Sequence, residues 1–338
     1  MQAPILNRFS PLFLSTRHSL KNRVVVPPMA SGTATRDGFV TPETVKHYSR
    51  LAQAGAGLLI VEYSFVHPSG RSEEQQLGIS SHAQISGLSE LVKVIHQQGS
   101  LAGIQLTHSG GKSSRELTAG ALMAPSAIAV PVKEQQLETP SPMSLADIEL
   151  WKSSFSQAAH RAVLAGFDLV EFHSAHGYGL NQWLSPLTNQ RQDEYGRDLA
   201  GRSKLLQEII QIVRRDFPGL LTSVRMPGQD FLAGGLTVDE TTKLAKALEQ
   251  LGVDIINVSS GIGGWRRPSS RTGEGYLAEE AARIQASVCA PVIAVGGIVS
   301  GEYIDDGVLT NRFRLAAVGR AILEDPKAWY EKNMRRSI

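Results

Sequence analysis

The sequence predicts a (β/α)8 TIM barrel, an α/β fold in which a closed parallel sheet is surrounded by helices. Short apolar runs recur eight times, amphipathic segments separate most of them, and the chemically unusual residues stand where the runs end. An open, doubly wound sheet is the alternative, but eight strands favour closure. The length of 338 residues fits one domain over residues 1–338 with long loops over the carboxyl face of the barrel.

The predicted strands are rich in Val, Ile and Leu, as expected for a parallel sheet that is covered on both faces. They span residues 23–27, 57–62, 101–106, 168–173, 221–225, 254–259, 291–295 and 315–319. Long loops are expected at about 107–143, 174–200 and 260–276. Loops of that length in compact domains usually carry function, so we expect all three over the barrel mouth.

Composition and charge favour a small-molecule partner. The 34 basic and 32 acidic residues leave a net charge of +2, which offers no field for nucleic acid or anionic lipid. The N-terminal stretch lacks a signal peptide pattern, and no apolar run is long enough to span a membrane. Cys289 is the only cysteine, so we expect a cytoplasmic protein without disulfides or cysteine-bound metal.

The strongest local signal is the pair His173 and His176, followed by Tyr178, at the end of the fourth predicted strand. Two histidines in one turn can donate hydrogen bonds to a single oxygen, and the phenol can serve as a general acid. A zinc site is the first alternative, with Glu171 or Asp193 as a further ligand. The second alternative is a pair of hydrogen-bonded core histidines, which the Gly-containing loop makes the weaker interpretation.

A second signal follows the last two predicted strands. Gly296 and Gly297 come after the seventh, and Gly319 and Arg320 after the eighth. Exposed backbone N–H groups and a guanidinium suit a phosphate, and barrels often bind phosphate at this position. The alternative is a tight turn, with Arg320 paired to Asp325.

A third set of residues suits a planar heterocycle. Residues 27–30 follow the first strand, Gln105 can donate and accept hydrogen bonds, and Arg225 can stabilise negative charge. Arg225 could instead pair with Glu171 or Glu62. No strand end carries a lysine or clustered carboxylates, which argues against a flavin-free aldolase or phosphosugar isomerase.

In this order, the motifs resemble the Old Yellow Enzyme family of FMN-dependent NAD(P)H oxidoreductases, closest to its bacterial thermophilic-like ene-reductases. The similar stretches are VPPM (26–29), IVEY (60–63), PSGR (68–71), GIQLTH (103–108), APSA (124–127), HSAHGY (173–178), LSPLTNQR (184–191), DEYG (193–196), VGR (318–320) and DP (325–326). They cover nearly the whole chain.

The resemblance implies non-covalent FMN and a role for each matching residue. The flavin ring contacts are Pro27, Pro28, Met29, Ala30, Tyr63, Gln105 and Arg225, and the phosphate contacts are Gly296, Gly297, Gly319 and Arg320. His173 and His176 are expected to bind the electron-withdrawing group of an activated alkene. Tyr178 is expected to protonate the α carbon after hydride reaches the β carbon from flavin N5.

Three departures from the family pattern affect these expectations. Ala30 replaces a cysteine that touches the flavin, and Gly32 replaces an aromatic substrate contact, so the substrate pocket is expected to be wider there or to be filled by Tyr63 or Trp265. The chain ends at Ile338, before the extension whose arginine enters a neighbouring subunit in relatives, so a homo-oligomer is expected to lack that contact.

The sequence leaves the substrate and the donor open. Enals, enones, maleimides and nitroalkenes are the leading substrates, and a specialised oxidative or demethylating reaction is the alternative. Either NADPH or NADH can serve as electron donor. Arg266, Arg267 and Arg271 could bind a 2'-phosphate or form a solvated loop, and we favour NADPH.

Overall fold

The computed structural model describes residues 6–132, 136–265 and 267–335, and its centre is a closed barrel of eight parallel strands. The strands are Val24–Val26 (β1), Leu58–Phe65 (β2), Leu101–Thr107 (β3), Leu169–His173 (β4), Leu221–Pro227 (β5), Ile255–Ser259 (β6), Val292–Ala294 (β7) and Leu315–Ala317 (β8). Each strand pairs with its neighbours in the chain, and β8 closes the barrel against β1. The predicted fold class is confirmed.

Helices pack around this barrel. They are Pro42–Ala52 (α1), Ile85–His96 (α2), Leu145–Ala165 (α3), Gly179–Leu184 (α4), Leu199–Asp216 (α5), Val238–Gln250 (α6), Ala278–Gln285 (α7), Gly301–Leu309 (α8), Arg320–Glu324 (α9) and Pro326–Asn333 (α10). Capping boxes at Thr41, Ser144 and Thr237 start α1, α3 and α6. Within the described ranges, no helix has the length and apolar character to cross a membrane.

Strand β2 extends to Phe65, beyond the predicted end at residue 62. Its pairing with β3 shifts register between Val61 and Ser64. An irregularity of this kind changes the direction in which side chains point near the rim of a barrel. Tyr63 therefore lies within a strand, at the point where the ladder is interrupted.

The long loops contain small elements that the sequence did not predict. The first loop includes the two-residue strands Met123–Ala124 and Ser141–Pro142, which pair in parallel, and the second includes α4. A hairpin of Leu12–Phe13 with Ser19–Leu20 precedes the barrel, and 3-10 turns lie at Pro68–Gly70 and His82–Gln84. Elements this short carry no usable periodicity, which explains why they were missed.

The interior of the barrel changes from apolar to polar toward its mouth. Leu169, Leu221 and Ile255 belong to an apolar cluster enclosed by the strands. Since alternate residues of a barrel strand face inward, the next inward positions are two and four residues further along the chain. They are Glu171, Ser223 and Asn257, which we call the middle layer, and then His173, Arg225 and Ser259, which we call the top layer; all six are buried.

The only cysteine lies at the opposite end of the barrel. Cys289 is exposed and comes just before β7 begins. Its backbone N–H donates to a carboxylate oxygen of Glu249 at 2.6 Å. The thiol is therefore on the amino side of the strands, away from the top layer.

We predict that Gly307→Ala destabilises the protein although alanine favours helices. A methyl group at this position in α8 would overlap the ring of Phe313, which is fully buried. The overlap should cost about 1–3 kcal/mol, more than the ~0.5–1 kcal/mol gained in helix propensity. Denaturant titration measures the change. Gly219→Ala is the control because its new methyl group meets no atom within 4 Å; an equal effect of both variants would contradict the prediction.

Candidate active site

His173, His176 and Tyr178 form one aromatic cluster at the mouth of the barrel. The centroid of the His173 ring lies 5.1 Å from that of the His176 ring and 4.7 Å from that of the Tyr178 ring. The turn depends on left-handed backbone, with φ +62° at His176 and +79° at Gly177. Such a conformation is uncommon for histidine and is often retained at functional sites. The structure thus brings the three predicted residues together.

Both imidazoles are held neutral. Burial lowers the pKa of His173 and of His176 well below the usual value, and the positive charges of Arg225 and Lys112 add to that effect. Nε2 of His176 shares a hydrogen bond with the hydroxyl of Ser259 at 2.6 Å. Nδ1 of His173 is buried without a partner among the described residues. A neutral imidazole can still donate one hydrogen bond, so the pair suits a partly negative oxygen.

The side chains of this cluster do not assemble further metal ligands. Among residues 6–132, 136–265 and 267–335, no group of three or more His, Cys, Asp or Glu side chains could hold a metal ion. Glu171, one of the two further ligands considered from the sequence, instead accepts hydrogen bonds from Gln105 and Ser223 inside the barrel. The geometry therefore favours hydrogen bonding by the histidines.

Tyr178 keeps its proton under physiological conditions. Burial and the negative charge of Glu73 raise its pKa to about 12. The ring of Tyr63 lies 5.3 Å from that of Tyr178 and 6.4 Å from that of His173. Tyr63 is 8% exposed and its own pKa is also raised, chiefly by burial. A protonated phenol in an enclosed pocket can act as a general acid.

Below this cluster, the carboxylate of Glu171 organises the middle layer. One oxygen accepts from Nε2 of Gln105 at 2.8 Å, and the other accepts from Ser223 at 3.0 Å and Asn257 at 2.8 Å. Burial raises the pKa of Glu171, while the charge of Arg225 and these hydrogen bonds oppose the rise. Gln105 is thereby fixed in orientation with its carbonyl oxygen left for another partner.

Arg225 is buried without an ion-pair partner at close range. It is 9% exposed, and its Nε has no hydrogen-bond acceptor in the described part of the chain. Glu171 is occupied by neutral donors, and Glu62 accepts from Ser31 and Tyr48. Arg225 therefore pairs with neither Glu171 nor Glu62, the two partners considered from the sequence. Its buried guanidinium faces the mouth with N–H donors that no acceptor occupies among the described residues.

The backbone conformation and close neighbours at Gly296 and Gly297 favour residues without a side chain. Their φ angles are +117° and +71°. A Cβ on Gly296 would meet the backbone nitrogens of Tyr276 and Leu277 at 2.9 Å. A Cβ on Gly297 would lie 3.3 Å from a guanidinium nitrogen of Arg267. The turn is thus shaped by close backbone approach, as an anion cradle requires.

The second half of the cradle lies beside the segment after β1. A Cβ on Gly319 would meet Sδ of Met29 at 3.3 Å and Cγ of Pro27 at 3.4 Å. Asp325 caps α10 by accepting from the backbone of Ala328 at 3.0 Å, and within the described residues it forms no ion pair with Arg320, the partner considered from the sequence. The segments after β1 and β8 therefore lie against each other.

The space at Gly32 is open. Its φ is +62°, and a Cβ there would meet no atom within 4 Å. Trp265 is 68% exposed, whereas Tyr63 packs against the catalytic candidates. Of the two aromatic residues considered from the sequence for filling this part of the pocket, Tyr63 is the one enclosed in the mouth.

The sequence interpretation missed Lys112. It stands five residues beyond β3, so a search at strand ends did not find it, but the Gly110–Gly111 turn before it was a visible signal. Its ammonium lies 4.2 Å from the ring centroid of Tyr178. Ser259, which shares a hydrogen bond with His176, is the last residue of β6, and the sequence assigned it no role.

A model of the NADH:flavin oxidoreductase / NADH oxidase family matches residues 7–335. The chain belongs to this family. NADPH dehydrogenase of Bacillus subtilis strain 168 is 38% identical over 319 residues, which are 94% of this chain and 91% of that protein. NADPH dehydrogenase of Geobacillus thermodenitrificans is 40% identical over the same shares of both chains.

Solved structures agree with this assignment at the level of the fold. Morphinone reductase superposes with a TM-score of 0.83 at 24% identity, over 97% of this chain and 90% of that chain. The old yellow enzyme homologue of Zymomonas mobilis gives 0.82 at 23% identity, over 96% and 91%. The fold of these structures is the same, and the family expected from the sequence is confirmed by the family model and the two NADPH dehydrogenases.

The family member described here is an NAD(P)H:FMN oxidoreductase. Its cofactor is FMN, and NADH or NADPH is the electron donor. The structure fits FMN by two independent observations: the side-chain-free turn at Gly296 and Gly297 suits the phosphate, and the unpaired guanidinium of Arg225 suits an electron-rich ring.

We predict that the neutral histidines make the protein less stable in acid. Unfolded histidine has a pKa near 6.5, and both folded pKa values are lower, so the unfolded state binds more protons as pH falls below about 6.5. At pH 5 each imidazole can cost up to about 2 kcal/mol relative to pH 7. The His173→Asn/His176→Asn double variant should therefore lose less stability than the parent over this range. Denaturant titrations at both pH values check this; parallel losses would oppose it.

Proposed function

We propose that this enzyme reduces activated carbon–carbon double bonds, with enals, enones, maleimides and nitroalkenes as its substrates. The observation that carries the proposal is the cluster of one protonated phenol and two neutral imidazoles in a single pocket. Such a pocket can hold a polarised oxygen and deliver a proton beside it. The reaction is the reduction of a conjugated alkene at the expense of NAD(P)H.

His173 and His176 would bind the electron-withdrawing group of the substrate. The carbonyl or nitro oxygen gains negative charge as the β carbon accepts hydride, and hydrogen bonds aimed at that oxygen lower the barrier. Ser259 fixes the ring of His176 through the 2.6 Å hydrogen bond. The unpartnered Nδ1 of His173 is available to the bound ligand.

Tyr178 would donate its proton to the α carbon. Its O–H bond breaks as the new C–H bond forms, and the phenolate later recovers a proton from solvent. Because its pKa is about 12, the phenol is almost fully protonated at neutral pH. Burial opposes formation of the phenolate, so another group must stabilise that charge.

The FMN site would be built from residues around the mouth. Residues 27–30 with Tyr63 would contact the ring, Gln105 would bind its pyrimidine edge, and Arg225 would lie at N1 and O2. Gly296, Gly297, Gly319 and Arg320 would hold the phosphate. The cofactor, held non-covalently, supplies the hydride-carrying chemistry between NAD(P)H and the alkene.

A specialised substrate is the second candidate, and the open space at Gly32 favours it. Gly32 is exposed and a Cβ there would meet no atom within 4 Å, so a bound molecule could extend past this position. A histamine dehydrogenase from Rhizobium shares the barrel with a TM-score of 0.86 at 25% identity, although this chain spans only 46% of it. Oxidation of a larger amine or ether is therefore the alternative reaction.

We infer NADPH in preference to NADH, with Arg267 as the residue for its 2'-phosphate. Arg271 is committed to Glu279 and Glu280 at 2.6 and 2.8 Å. Arg267 lies over the ring of Tyr276 at 4.8 Å and retains donors on an exposed side chain. Arg266, the third arginine considered, lies outside the described residues.

Absorbance spectroscopy tests the proposed reaction. Under anaerobic conditions the flavin bands should bleach with NADPH and return on addition of cyclohexenone or N-methylmaleimide. Bands that bleach with NADPH but do not return with either alkene would shift the assignment to the specialised substrate. A colourless protein that takes up no FMN would contradict the cofactor itself.

We predict that Tyr178→Phe separates the two halves of the reaction. Flavin reduction by NADPH should change little, since the phenol proton is not used there. Reoxidation by the alkene should slow by roughly 10²–10⁴-fold, the usual contribution of a positioned general acid. Rapid-mixing absorbance measures both steps separately. Unchanged reoxidation in the variant would remove Tyr178 from the proton-donating role.

A further inference from the structure

Lys112 is a titratable group that the proposed reaction does not use. It lies in the loop after β3, in contact with the His173–Tyr178 turn. Its side chain is partly accessible at the concave mouth, and burial is nevertheless the main cause of a pKa lowered to about 8. A lysine that begins to lose its charge near pH 8 beside a general acid calls for an explanation.

Two contacts fix the ammonium of Lys112 against the catalytic turn. It donates a hydrogen bond to the backbone carbonyl of His176 at 2.8 Å. It also lies over the face of the Tyr178 ring, 4.2 Å from the centroid. This distance is well within the ~6 Å at which a cation is attracted to an aromatic face.

We propose that Lys112 stabilises the phenolate that remains when Tyr178 gives up its proton, and so acts as a positioning residue that strengthens the general acid. This inference rests on the proposed donor role of Tyr178. The step itself is balanced: the Tyr178 O–H bond breaks, its proton forms a C–H bond with the electron pair of the substrate α carbon, and the negative charge stays on the phenolate. Lys112 gives and takes no proton in that step.

The physical basis is the difference between the phenol and the phenolate. A cation above an aromatic face is attracted by the electron density of the ring, and that density is greater in the anion. The enclosed pocket strengthens the attraction, because charges interact more strongly there than in water. The ammonium therefore offsets the burial that otherwise disfavours the phenolate.

Other charged groups around Lys112 are compatible with this role. Glu73 raises the pKa of Lys112 and thereby helps to keep the ammonium charged. Arg225, on β5, adds positive potential to the same pocket. His173 and His176 stay neutral, so neither imidazole can account for a titration near pH 8. Tyr178 itself titrates near pH 12.

The charge of Lys112 predicts the pH dependence of reoxidation. As pH rises through about 8, the ammonium loses its proton and the phenolate loses its stabilising charge. The rate constant for flavin reoxidation by the alkene should therefore fall above about pH 8, far below the pKa of Tyr178. Reduction by NADPH should not show this fall.

Two substitutions test the proposal in the FMN-loaded enzyme. Lys112→Met keeps the length of the side chain without its charge and should slow reoxidation at pH 7 by roughly tenfold, a shift of about one pKa unit in the donor. It should also abolish the fall near pH 8. Lys112→Arg keeps a charge that does not titrate, so it should retain most of the rate and move the fall to higher pH.

A spectroscopic readout separates this role from a structural one. The tyrosinate absorbance of Tyr178, obtained as the difference between parent and Tyr178→Phe, should titrate at lower pH in the Lys112→Arg background, because arginine keeps its charge in the range where Lys112 is already neutral. Lys204→Met is the matched control, because Lys204 lies over the ring of Tyr195 at 5.5 Å and is remote from the mouth. This control should leave the rate, the pH profile and the titration of Tyr178 unchanged.

The outcomes distinguish the two proposals. A Lys112→Met variant with the parental rate and the parental fall near pH 8, together with an unshifted tyrosinate titration in Lys112→Arg, overturns the role of Lys112, while slow reoxidation in Tyr178→Phe preserves the donor role. Parental reoxidation in Tyr178→Phe overturns both. Equal slowing in Lys112→Met and Lys112→Arg, with weaker FMN binding in each, identifies a packing role and also overturns the inference.

Discussion

The carboxylate of Glu171, held inside the barrel by neutral hydrogen-bond donors, is the interaction on which the mouth depends. A buried carboxylate is costly unless its oxygens are satisfied, and Gln105, Ser223 and Asn257 satisfy them. Because these donors occupy both of its oxygens, Glu171 makes no close ion pair with Arg225 in the described part of the chain. The charge of Glu171 still acts on Arg225 at longer range and opposes the lowering of the Arg225 pKa by burial.

This arrangement gives the mouth a consistent electrostatic character. Arg225 and Lys112 carry positive charge, whereas the neighbouring imidazoles are kept neutral by burial and by those same charges. Negative charge that develops at a ligand, a cofactor or a phenol is favoured in such surroundings. The fold produces this charge distribution because polar residues stand two and four positions beyond the apolar layer on adjacent strands.

The barrel was predictable from sequence because its strands are short apolar runs between helices with clear caps. The largest difference was at β2, where Glu62, Tyr63 and Ser64 interrupt the apolar pattern and hide the continuation of the strand to Phe65. Minor strands such as Met123–Ala124 were missed because tertiary contacts, not local periodicity, determine them.

The histidine–tyrosine cluster was also predictable, since all three residues occupy one turn. The partners of that cluster were not. Ser259 reaches His176 from another strand, and Lys112 returns to Tyr178 from a loop, so both contacts join positions far apart in the chain. Sequence spacing indicates which residues share a turn, whereas contacts across the mouth require the closed barrel.

The position of Cys289 has a practical consequence. A single thiol that is exposed on the amino side of the strands allows attachment of one fluorophore, or of a tether to a conducting surface, at a defined point. The attached group would face away from the top layer, so ligands could still enter. Immobilised molecules would then share one orientation, with every mouth open to solution.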